Sequence, residues 1–297
     1  MNVFYSARYE IPLPGHIWPT SKYRLIAERL LGDSRFRGCE ILEPPLASWD
    51  DLALVHTAEY LEKIRHDRLT ADEIATLELP WGPGVADGFR LMVGGTCATA
   101  AAALDAGAAL HLGGGLHHAF ANHGEGFCLF NDVAVAIRAL QHNRRVRRAA
   151  VLDCDVHHGN GTAMIFDGDD AVFSCSIHQQ HNYPSFKPRS DLDVGLRDGA
   201  GDGEYLTALR GVVPAVLASR PEVLFYLAGA DPFVEDRLGG LAVTKAGLRE
   251  RDRVVIGAAR DAAVPLVVAL AGGYAVRVED TVDVHVNTAK EMLNVEC

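Results

Sequence analysis

Short apolar runs and longer amphipathic stretches alternate along this chain, and the alternation predicts its architecture. Apolar runs predict strands at Val3–Tyr5, Ala109–Leu112, Ala149–Asp153, Ala171–Ile177, Val223–Ala228 and Leu266–Ala271. Most are continuously apolar, the pattern of strands covered on both faces in a parallel sheet. Helical patterns occupy Ser21–Leu31, Thr57–Arg65, Gly88–Ala106, Asn131–His142, Gly203–Ala218, Thr244–Ala263 and Thr281–Leu293. The alanine-rich stretch Ala98–Ala108 reads as a helix packed closely on a sheet. No repeat, low-complexity tract or interdomain linker interrupts this order. One α/β domain over residues 1–297 is expected.

Polar residues gather where the apolar runs stop. Ala109–Leu112 leads into Gly113-Gly114-Gly115-Leu116-His117-His118, and Ala149–Leu152 leads into Asp153 to His157. The run from Ala171 reaches His178-Gln179-Gln180-His181, that from Val223 reaches Gly229-Ala230-Asp231, and that from Leu266 reaches Gly272-Gly273-Tyr274. Open parallel sheets bind ligands outside the carboxyl ends of their strands. A single site built from five strand ends explains the coincidence.

The segment Asp153-Cys154-Asp155-Val156-His157 is the densest of these ends. In an extended chain, residues i, i+2 and i+4 face one side, which would gather two carboxylates and an imidazole. Those groups are ordinary Zn²⁺ ligands, and a catalytic zinc site keeps an open position beside about three protein ligands. Alone, the pattern reads equally well as a solvated strand end with a helix cap and a turn.

Composition narrows the choices. With 48% hydrophobic residues among 297, the chain can bury a large core. No apolar run approaches the roughly 18 residues needed to span a bilayer, and the first residues lack a basic stretch followed by an apolar one. Six scattered cysteines (Cys39, Cys97, Cys128, Cys154, Cys175 and Cys297) without C-x-x-C spacing argue against disulfides and thiolate zinc, so a reducing cytoplasm is expected. A net charge of −11 lacks the basic footprint of nucleic-acid binding, so neither nucleic acid nor membrane is expected as a partner. The acidity suits a cationic substrate, and it serves solubility in any case.

Five motifs, in order, resemble the histone deacetylases. They are Gly113–Ala119, Gly124-Glu125-Gly126-Phe127-Cys128-Leu129-Phe130-Asn131-Asp132, Asp153–Gly161, Ala228–Pro232 and Gly272-Gly273-Tyr274. Pro14-Gly15-His16, Ser21-Lys22-Tyr23-Arg24 and Asp236-Arg237-Leu238-Gly239 are similar to segments of short bacterial proteins of the class IV type. The resemblance implies an arginase/deacetylase-like fold, a single-domain three-layer αβα sandwich with a mostly parallel sheet. It also implies zinc-dependent removal of an acyl group from an amine, zinc being held by Asp155, His157 and Asp231. His118 would be the general base and His117 its electrostatic neighbour, with Asp153 orienting His117. Tyr274 would donate to the oxyanion, and Gly126 and Phe127 would line a narrow tunnel. A potassium ion would take Asp153, Asp155, His157, Ser176 and Ile177, largely through backbone oxygens, and a second monovalent site Phe166, Asp169 and Val172. His158 is expected to be structural.

One position departs from many deacetylases: Asn160 stands where they have Asp opposite the base. An amide brings no charge, so the base should be less basic. Class IV relatives resemble this chain there.

Rival readings lose support. A two-metal arginase-type enzyme needs a D-x-D pair after the strand at 223–228, where this chain has Asp231-Pro232-Phe233. Asp191-Leu192-Asp193 has the spacing but sits in a stretch rich in proline, glycine and charge, and reads as a solvated turn. No G-x-G-x-x-G opens a helix after the first strand, and no G-x-S-x-G elbow occurs. A noncatalytic acyl-lysine-binding module would have lost Tyr274, a histidine or a ligand. The substrates that fit are an acylated lysine in a peptide or protein, with acetyl or longer acyl groups, and acetylpolyamines or other small amides. The loop His178–Gly203 is expected to shape the entrance. Without the long insertion that polyamine enzymes use to dimerise, a monomer is expected.

Overall fold

The computed structural model describes residues 1–293; Cys297 lies outside them, and Cys97, Cys128, Cys154 and Cys175 are free thiols. Eight strands form one sheet: β1 (Asn2–Phe4), β2 (Glu40–Leu42), β3 (Ala108–His111), β4 (Ala149–Asp153), β5 (Val172–Gln179), β6 (Leu192–Leu196), β7 (Leu224–Leu227) and β8 (Leu266–Ala269). Their order is β2-β1-β3-β8-β7-β4-β5-β6, and every neighbouring pair is parallel. The expectation of a mostly parallel sheet is met by one that is wholly so.

Alternate side chains of the same strands feed two different cores. Leu110, Ala150, Leu152, Leu224, Tyr226, Leu266 and Val268 pack with helices Ser21–Leu31, Asp202–Ala218, Lys245–Asp261 and Val278–Leu293. Ala109, Ala149, Val151, Phe225, Leu227 and Val267 face the opposite way, against helices Val85–Ala106 and Asp132–His142. The result is a single domain of three layers, helices on each face of the sheet. Among the described residues, no helix is long and apolar enough to cross a membrane.

The alanine-rich helix Val85–Ala106 packs as closely as expected. A Cβ on Gly94 would overlap the Pro45 carbonyl, and one on Gly95 would overlap the Tyr9 hydroxyl and the His111 ring.

The strands absent from the sequence reading are β2 and β6, and both lie at sheet edges. Central strands β4, β7 and β8 are buried throughout, whereas β6 alternates between partly buried and exposed positions. An edge strand with one wet face carries no apolar run to detect. The reading of Asp191-Leu192-Asp193 as a solvated turn is therefore corrected. Leu192 and Asp193 open β6, and Asp191 accepts hydrogen bonds from the Ser174 backbone N–H and hydroxyl. The loop expected over His178–Gly203 is likewise shortened by β5, which runs on to Gln179, and by β6.

Short helices Trp49–Leu52 and Ala71–Leu77 were also missed, though each opens with a capping box, Ser48 with Asp51 and Thr70 with Glu73. The second helix bears on the site, because the Gly126 and Phe127 amides donate to the carbonyls of Thr76 and Leu77. Thr70→Ala removes the side-chain half of that cap and should cost about 0.5–2 kcal/mol of stability. A lower urea midpoint is the expected result; an unchanged one would mean the helix is held from elsewhere.

Candidate active site

Strand order decides which loops meet. β8 and β7 arise late in the chain but lie centrally, between β3 and β4. The loops leaving β3, β8, β7 and β4 therefore converge, and they carry His117–His118, Gly272–Tyr274, Asp231 and Asp153–His157.

The loop after β3 is pinned by Asp132, which ends the second motif and opens a helix but was given no role by the sequence reading. Its buried carboxylate accepts hydrogen bonds from the Gly115 and Leu116 amides at 3.0 and 2.7 Å and from the Thr96 hydroxyl at 2.5 Å. Gly114 and Gly115 have φ of 78° and 72°, where a Cβ is disfavoured. At Gly115 a Cβ would also sit 2.5 Å from the Ala271 Cβ. So anchored, the loop delivers two buried imidazoles side by side, their Nε2 atoms 3.1 Å apart.

The two histidines have different partners. His117 Nδ1 is 2.6 Å from Asp153 Oδ2, and His118 Nδ1 is 2.7 Å from Asn160 Oδ1. Burial opposes charge on His117, but Asp153 and Asp155 outweigh it and push its pKa up to about 9. Burial, with His117 and His157 nearby, drives His118 well below its usual value. With its Nδ1–H given to Asn160 Oδ1, neutral His118 presents its Nε2 lone pair toward His117 Nε2, 3.1 Å away. One ring is a donor and the other an acceptor, the separation of roles that acid–base chemistry needs.

After Asp153 the chain leaves the sheet, so the alternation expected of an extended segment ends there. Asp153 Oδ1 accepts from the Asp155 amide, and Asp155 Oδ1 from the His157 amide, each at 3.0 Å. These two turns send Asp153 toward His117, while Asp155 and His157 join Asp231. Donor atoms of Asp155, His157 and Asp231 all lie within 4.8 Å of one another. His157 Nδ1 is 3.0 Å from Asp155 Oδ1 and 3.6 Å from Asp231 Oδ2.

This donor set fits a divalent cation. The Val156 amide donates to Asp231 Oδ1 and the Gly272 amide to Asp155 Oδ2, each at 2.9 Å. Asp231 Oδ2 is buried with no hydrogen-bond partner. Burial and the neighbouring Asp155 charge push the Asp231 carboxyl up to about 7, a penalty that a cation between the two carboxylates removes. Glycine is required beside them: a Cβ on Gly272 would overlap Asp231 Oδ2, and one on Gly229 would lie 2.7 Å from Asp231 Oδ1.

Above this floor stands a cavity of ≈ 170 Å³, walled by Trp18, Gly126, Phe127, Tyr183, Leu238 and Tyr274. Gly126 and Phe127 form the centre of a tight turn, Glu125 and Cys128 exchanging backbone hydrogen bonds across it. Their φ values of 51° and 67° are the positive pair of a type I′ turn. Phe127 holds this unusual backbone because its ring is gripped by His16, Trp18 and Tyr274, with centroids at 4.6, 6.4 and 6.0 Å. Asp236 fixes the opposite wall, accepting from the Tyr274, Leu238 and Gly239 amides.

Residues 16–289 match the family described as "Histone deacetylase domain". The chain belongs to the histone deacetylase family. An uncharacterized protein of Picosynechococcus sp. is 40% identical over 285 residues, 95% of each chain. Histone deacetylase 2 of Arabidopsis thaliana is 32% identical over 92% of this chain and 74% of its own. Acetoin utilization protein AcuC of Bacillus subtilis is 32% identical over 81% and 68%. The crystal structure of the HDA15 HD domain superimposes with a TM-score of 0.79, covering 100% of this chain and 96% of its own; at 24% identity the match is one of fold.

Three residues at the candidate site were given no role by the sequence reading. Lys22 lines the cavity, its Nζ donating to the Ala271 carbonyl at 3.0 Å, with burial lowering its pKa to about 8. Its signal was available, since Lys22, Ile26 and Leu30 share the buried stripe of their helix. Glu125 falls within the second motif, but its contacts with Asn160 and Tyr183 span the fold and no spacing announces them.

Ser176 sits beside Asp153 in the β4–β5 register, with Ile177 next to it. Phe166, Asp169 and Val172 share the turn that enters the far end of β5. His158 joins His178 and Asp193 in a second cluster of possible metal donors; its Nε2 is 3.2 Å from Asp193 Oδ1. Asp132→Ala leaves the buried Gly115 and Leu116 amides without their partner, at roughly 1–3 kcal/mol for each orphaned group. Chemical denaturation measures the loss, and a cost near zero would discount Asp132 as the anchor.

Proposed function

We propose that this chain is a zinc-dependent amidohydrolase that removes an acetyl or longer acyl group from the lysine amine of a peptide or protein. What supports the reading most directly is the unpartnered Asp231 Oδ2, buried among Asp155 and His157 beneath a cavity that also contains both histidines and Tyr274. Asp155, His157 and Asp231 would hold the ion, whose Lewis acidity acts on a water and on the amide carbonyl.

The chain's own groups do the rest. His118 takes the proton of the attacking water at Nε2 and returns it to the leaving amine. His117, kept charged by Asp153, stabilises negative charge beside it. Tyr274 donates its hydroxyl hydrogen to the oxyanion as the carbonyl is attacked. Gly126, Phe127 and the facing aromatic residues exclude water and receive the aliphatic arm of the substrate. Potassium at Asp153, Asp155, His157, Ser176 and Ile177 would stiffen the loop that presents the ligands. Lysine carrying a fatty acyl group is favoured over acetylpolyamine, and a cytoplasmic monomer of the class IV type completes the reading.

The deciding experiment measures zinc and turnover together, comparing acetyl-, octanoyl- and myristoyl-lysine peptides with acetylputrescine before and after chelation. Asp155→Ala and Asp231→Ala should each lose the metal and all hydrolysis; stoichiometric zinc in either variant would remove that residue from the ligand set. Tyr274→Phe should keep zinc but lose about 10²–10³ in kcat, and His118→Ala should likewise lose turnover with the metal retained. An undiminished rate in either case would strike the residue from the mechanism.

A further inference from the structure

Glu125 stands behind the residue that partners the general base. Asn160 Oδ1 is 2.7 Å from His118 Nδ1, and Asn160 Nδ2 donates to Glu125 Oε1, also at 2.7 Å. The same Glu125 oxygen accepts from the Tyr183 hydroxyl at 3.1 Å, while Oε2 is 3.5 Å from His123 Nε2. The Glu125 side chain is 19% exposed, whereas His118 is buried. Although burial opposes its charge, hydrogen bonds from His123, Asn160 and Tyr183 hold the Glu125 carboxyl below its usual range.

A primary amide can be turned over at little cost unless a neighbour distinguishes its ends. An ionised carboxylate can only accept, so Glu125 compels the Asn160 nitrogen to face it and the oxygen to face His118. That oxygen in turn requires the proton of neutral His118 to sit on Nδ1, leaving Nε2 with the lone pair a base needs. With the amide reversed, its N–H would point at Nδ1 and the proton would move to Nε2, the wrong atom.

We propose that Glu125 is a positioning residue for the base, the outer member of a His118–Asn160–Glu125 relay that returns to this site the negative charge Asn160 lacks. The Glu125–Cys128 turn supports it mechanically, since the two residues that line the cavity also fix where the carboxylate emerges. The inference rests on His118 acting as the base of the deacylation proposed above.

Four zinc-loaded proteins test it: the wild type, Glu125→Gln, Asn160→Asp and the double variant. Glu125→Gln should lower kcat by about 10–100-fold, as loss of such a supporting partner typically does, with KM little changed. In the Asn160→Asp background the sign should reverse, because Glu125 then opposes a like charge, and Glu125→Gln should raise kcat. Equal effects in both backgrounds, or an effect on KM alone, would overturn the relay while leaving the deacylase reading intact. Thermal denaturation of the same four proteins reads the contact without turnover. Asn160→Asp should lower the midpoint, and adding Glu125→Gln should restore it. Simply additive shifts would show the two side chains uncoupled and overturn the proposal. A wild type that hydrolyses no acyl-lysine, by contrast, sinks the deacylase reading and the relay with it.

Discussion

Asp155 and Asp231 bring two carboxylates to one buried point from the ends of different strands, with His157 beside them. Like charges so enclosed repel, with little solvent screening. Backbone amides of Val156 and Gly272 satisfy one oxygen on each, but one oxygen of Asp231 stays unpartnered. Much else in the fold follows from tolerating that arrangement. Gly229 and Gly272 carry no side chain because none would fit, and β7 and β8 are central because only there can their loops face those of β3 and β4.

Around that centre, each candidate functional group is held in place by a neighbour. Asp132 fixes the loop of the paired histidines, Asp153 sets the charge on His117, and Asn160 orients His118. Asp236 ties down the segment that carries Tyr274. Two of these supports, Asp132 and Asp236, are carboxylates accepting from backbone amides, bonds that a charged acceptor makes stronger than neutral pairs. Position is thereby taken out of the hands of flexible side chains and given to the backbone of the sheet loops.

The cavity wall obeys the same logic in aromatic form. A type I′ turn pushes Phe127 into a left-handed backbone conformation, and contacts with His16, Trp18 and Tyr274 keep it there. Local strain of this sort persists only where packing over-determines it, and here it lies at the rim of the site.

Periodicity and motif order, read from the sequence alone, determined the three-layer α/β architecture and the family. They also pointed to the loops ending β3, β4, β5, β7 and β8 as the place of the site, and Asn182 and Tyr183 after β5 do line the cavity. Those features are local: a central strand must be apolar on both faces, and glycine must stand where the backbone turns sharply. Edge strands β2 and β6 escaped because a strand with one solvated face lacks that run, and Asp193 was misread with them. Only the tertiary structure decided that Lys22 points into the cavity and that Glu125 reaches Asn160. Each of these depends on the distance between residues remote in sequence, which strand order and loop packing set and which no spacing along the chain encodes.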